Sequence, residues 1–77
     1  MEDERDEALA TALLRAIQAL EKMLATLDRA ARTAARLRET AVAYRLDALA
    51  RDVEQSLESL RSRAAERWNA SSHRNGR

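Results

Sequence analysis

The chain contains no cysteine, no proline and no phenylalanine, and among its 77 residues there is one glycine, one tryptophan and one tyrosine. Each absence removes a class of protein. Without cysteine there is no disulfide framework and no thiolate metal site to compensate for a small core. So few aromatic rings provide no cage for a cationic ligand, no platform for stacked bases and no interfacial belt at a bilayer. The scarcity of Gly, Pro and β-branched residues leaves little material for tight turns or strands. Uninterrupted apolar runs are only a few residues long, far below the ~20 that span a membrane. The acidic start is unlike a secretory leader, which needs a basic segment and then an apolar one. A cytoplasmic location is therefore expected. Neither sign of charge dominates: 14 basic and 13 acidic residues leave a net charge of +1, so bulk electrostatics select no polyanionic or polycationic partner.

What remains is helix-forming material. Ala, Leu, Arg and Glu make up 49 of the 77 residues, and these are among the strongest helix formers. The fold class is all-α. Alanine supplies 17 of the hydrophobic positions and buries little surface, so one chain of this size holds a marginal core.

The large apolar residues Leu9, Leu13, Ile17, Leu20, Leu24 and Leu27 recur at spacings of three and four, and Ala31 and Ala34 continue the row. This is one face of a helix, with the spacing of a coiled-coil seam. Extending the same register puts Arg38, Arg45 and Asp52 in one core column, which no core tolerates. The apolar residues of the second half are Val42, Leu46, Leu49, Val53, Leu57, Leu60 and Ala64. They form a stripe turned by roughly a third of a turn from the first, at ~100° per residue. The phase slip predicts two helices, at about 4–38 and 41–68, in a single domain of residues 1–69 followed by a flexible basic tail over 70–77. One long kinked coiled-coil helix is the alternative. Thr40 or Asp47 would cap the second helix.

Charge favours folding back. Residues 2–7 hold five acids against Arg5, and the far end of the second helix carries Arg61, Arg63 and Arg67. An antiparallel hairpin brings these blocks together and suits both helix dipoles. Two helices leave each seam covered on one side only, so the hairpin is expected to dimerise into a four-helix bundle or to dock on a larger protein. The expected interface comprises Leu13, Leu14, Ile17, Leu20, Met23, Leu24 and Leu27 with Leu46, Leu49, Val53, Leu57, Leu60 and Trp68. Within that set Leu14 and Met23 lie outside the pair and Trp68 closes one end of the bundle; Tyr44, at the junction, packs across the turn. Ala30, Ala31, Ala34 and Ala35 form a zone where helices can approach closely.

Catalytic chemistry has little material. The single histidine, His73, falls in the tail, where nothing orients it. Glu54 and Glu58 are four apart but lack the Glu-x-x-His partners of a helical di-metal site. Ser56, Ser59 and Ser62 have no base nearby in sequence. The chain is read as a non-enzyme without metal, cofactor or small-molecule substrate. Its expected role is protein–protein interaction, as a small regulatory, adaptor or chaperone-like subunit. The alternative is a nucleic-acid-binding hairpin dimer that grips phosphates or an acidic partner with Arg29, Arg32, Arg36, Arg38 and Arg45 and the basic tail. No aromatic or amide side chains accompany those arginines for base contact.

Overall fold

The computed structural model describes residues 2–75, and the side chains of residues 4–69. Two helices, α1 (Glu2–Arg36) and α2 (Thr40–Asn75), pack against each other as an antiparallel hairpin. No strand occurs among the described residues. The molecule is a flat rod of 57 × 20 × 13 Å. The phase slip in the sequence is thus the signature of a reversal, and the single long helix is excluded.

The connection is short, Leu37 to Glu39, and it is closed by backbone geometry. Glu39 N–H donates to the Ala34 carbonyl at 2.8 Å and Arg38 N–H to the Ala35 carbonyl at 3.1 Å. That pair of bonds is a Schellman motif, which satisfies carbonyls left open at the end of α1. The motif requires a left-handed residue, normally glycine; here Arg38 adopts it, with φ of 65°. The Glu39 carbonyl accepts the first bond of α2, from Ala43 N–H at 2.9 Å. Glu39 therefore holds the capping position. Thr40 is the first helical residue, and Asp47 lies inside the helix. The cap expected at Thr40 or Asp47 is displaced because the Schellman turn hands the chain straight into α2.

Helix α2 also runs past residue 69 to Asn75, so much of the expected tail is helical. Once a helix is nucleated each further residue gains one backbone bond, and weak formers such as Ser and Asn can follow. Residues 76–77 and the His73 side chain lie outside the described residues.

The core is a single thin seam. Leu13, Ile17, Leu20, Leu24 and Leu27 of α1 are half-buried, and Ala31 and Ala34 are buried. On α2 the inward positions are Ala43, Leu46, Ala50, Val53, Leu57, Leu60, Ala64 and Arg67. Leu57 is the most enclosed, at 2% exposed. The α2 stripe differs from the expected one at two places. Ala43 and Ala50 replace Val42 and Leu49, which stand outside the seam at 48% and 51% exposed. The short turn holds the helices close together, and beside it Ala43 and Ala50 flank Leu46 on α2 while Ala31 and Ala34 line α1.

Candidate functional site

A two-helix hairpin has two open faces, and here they are chemically different. One carries charge. Arg61 Nη2 pairs with Glu21 Oε2 at 2.5 Å across the two helices. Asp28, Glu54, Glu58 and Arg51 line an open groove of about 640 Å³ on the same face, over a floor of Leu24, Ala25 and Leu57. Leu14 and Trp68 occupy the register level one heptad from Glu21 and Arg61 towards the open end of the hairpin. They lie on this charged face, at 55% and 72% exposed. At that end Arg67 fills an inward position and donates to Asp6 Oδ1 at 3.0 Å.

The other face is apolar. Leu9 and Met23 of α1, Leu37 in the connection, and Val42 and Leu49 of α2 are all exposed, and the helical register puts them on this side of the seam. Along α1 this row is unbroken, and all of it but Ala30 is exposed. Leu9, Ala12, Ala16, Ala19, Met23, Thr26, Ala30, Thr33 and Leu37 follow one another at spacings of three and four without one charged residue. Leu9 to Leu37 spans ~42 Å at 1.5 Å per residue, parallel to the buried seam and turned ~90–100° from it. Helix α1 thus has two seams, one met by α2 and one uncovered. On α2 the face is graded, from Val42 and Leu49 near the turn to Ser56 and Arg63 away from it.

The sequence-expected residues divide accordingly. The structure brings Leu13, Ile17, Leu20, Leu24, Leu27, Leu46, Val53, Leu57 and Leu60 into the internal seam. It leaves Leu14, Met23, Leu49 and Trp68 outside, with Met23 and Leu49 on the apolar face and Leu14 and Trp68 on the charged one. Trp68 does not close the end of the hairpin, because Arg67 takes the inward position beside it and pairs with Asp6. Tyr44 does not pack across the turn: it is 76% exposed on the outer surface of α2. The close-approach zone is real at Ala31 and Ala34, partial at Ala30, and absent at Ala35, which is exposed. All five arginines of the expected cluster are exposed. Arg29, Arg32 and Arg36 lie on α1, Arg38 sits in the turn, and Arg45 is on α2. Arg15 and Lys22 extend the α1 edge at intervals of seven, a spacing visible in the sequence once the seam is known.

Among the described residues no group of three or more His, Asp or Glu is gathered to hold a metal ion. No described helix is long and apolar enough to cross a membrane. Comparison with protein-family models, with curated proteins and with solved structures finds no match to this chain.

Proposed function

We propose that this protein is a non-enzymatic interaction module, a small regulatory, adaptor or chaperone-like subunit that associates with other helices through the apolar face. The sorting of Met23, Leu9, Leu37, Val42 and Leu49 onto one side carries this reading, because an isolated hairpin gains nothing by collecting exposed apolar residues there. Covering that face with two further helices produces a four-helix bundle, the arrangement that buries both seams of α1. The test is paired substitution on the two faces. Met23→Glu with Leu49→Glu is expected to abolish association in sedimentation equilibrium while helicity by circular dichroism persists. Leu14→Glu, on the charged face, is expected to leave association intact, and loss of association in that variant alone would remove the assignment.

A nucleic-acid role has one observation behind it, the row of Arg15, Lys22, Arg29 and Arg36 along the α1 edge. It requires an affinity for duplex or single-stranded nucleic acid that falls steeply with salt and is lost in Arg29→Glu with Arg36→Glu.

A further inference from the structure

Given that the apolar face is an association surface, as proposed above, we infer that its occupant is a second copy of this chain, with both turns at the same end. In that arrangement α1 of each hairpin lies along α2 of the other, around a two-fold axis parallel to the helices. Three independent features point to it.

The first is the grading of the α2 half. With turns together, Val42 and Leu49 of one copy lie level with Leu37 and Ala30 of the other, so the apolar ends meet. With turns opposed, Val42 instead falls near Arg63 of the second copy. Opposed, the apolar end of each α2 meets the polar end of the other copy's α2.

The second is charge. The outer edge of α1 presents Arg15, Lys22 and Arg29, and α2 presents Asp52 and Glu66 beside the apolar face. Turns together place Lys22 and Arg29 beside Asp52, and Arg15 beside Glu66, of the second copy. Turns opposed line the α1 cations against one another, with Lys22 level with Arg29 of the second copy. Like charges so placed disfavour the pairing and opposite charges fix its register. In the turns-together form Arg36 meets Arg45 at the exposed end, where solvent screens them, and Arg15 lies between Arg63 and Glu66 of the second copy.

The third is area. The two longer dimensions of the hairpin, 57 and 20 Å, describe a face of about 1100 Å², against ~800 Å² per partner in an ordinary stable interface. An isologous contact over this face is large enough for a dimer without further protein.

Because the chain has no cysteine, a single one introduced by Glu39→Cys reports cleanly on the turns. Nitroxide labels there are expected ~20 Å apart or closer by pulsed electron paramagnetic resonance, given helix spacings of ~10 Å. A separation near the hairpin length, ~50 Å at 1.5 Å per residue, overturns the arrangement. The charges supply a second readout. Asp52→Arg with Glu66→Arg is expected to weaken dimerisation about tenfold, and adding Arg15→Glu with Lys22→Glu to the same chain is expected to restore it. Failure of that rescue, with helicity unchanged, also overturns the pairing. A wild-type chain that sediments as a helical monomer at high micromolar concentration rules out the second copy while leaving the face free for a different protein. A dimer that survives Met23→Glu with Leu49→Glu overturns both the pairing and the association face itself.

Discussion

Arg38 carries the reversal of the chain in a conformation that costs an L-residue about 1–2 kcal/mol relative to a right-handed one. Its φ of 65° is the value at which glycine loses nothing. Arg38→Gly is therefore expected to stabilise the hairpin by about 1 kcal/mol, seen as a rise of ~4–8 °C in the thermal midpoint. The gain is reduced by the greater backbone freedom glycine has when unfolded. Nothing in the sequence marks this position, because an arginine in the left-handed region has no signature of its own. The weak helix formers Thr40, Val42 and Tyr44 narrow the turn to a window, and only the backbone bonds reveal which residue bends. Leu57 is the opposite case. At 2% exposed it is enclosed where its neighbours are half-open, so Leu57→Ala should destabilise by about 2–5 kcal/mol in chemical denaturation. The same substitution at Leu46 or Leu60, which retain contact with solvent, should cost less.

At the scale of the element, α1 was readable and α2 only in part. The α1 seam is built of leucine and isoleucine at regular spacing, so size and periodicity agree. In α2 they disagree near the turn. Periodicity admits either Val42 and Leu49 or Ala43 and Ala50 as inward residues, and choosing the larger pair gives the wrong face. Proximity decides: helices joined by three residues, Leu37 to Glu39, pack closely enough that Ala43 and Ala50 flank Leu46 in the seam, with Ala50 only 6% exposed. Ala50→Leu should consequently destabilise by about 1–3 kcal/mol through overpacking. Leu49→Ala should change the stability of the separated hairpin little. Urea melts at low protein concentration distinguish the two, and equal effects would place the α2 register one residue away.

For the whole molecule, the excess of apolar over buriable surface was visible in composition, but its direction was not. Which face is apolar depends on the α2 register, and a shift of one residue moves Leu49 from the seam to the surface. The candidate anchors expected from sequence accordingly lie on opposite sides, Met23 with the apolar face and Leu14 and Trp68 with the charged one. Association through a single face makes thermal stability depend on mass action. The melting midpoint should rise with protein concentration in the wild type and become independent of it in Met23→Glu with Leu49→Glu. A midpoint that stays flat over a hundredfold range in the wild type would count against any stable self-association.

The inward residues also change in kind along the rod. Alanines lock the helices together beside the turn, leucines fill the middle, and at the far end Arg67 and Asp6 close the seam with a solvated ion pair. Exposed pairs of that kind contribute at most ~1 kcal/mol, so little holds the two free ends together. The consequence is kinetic as much as structural: the hairpin frays from its termini and re-forms from its turn, as a zipper does from its closed end. Amide hydrogen exchange should report this as a gradient, with strongest protection from Leu24 to Ala34 and from Ala43 to Leu57, falling steadily towards the chain ends.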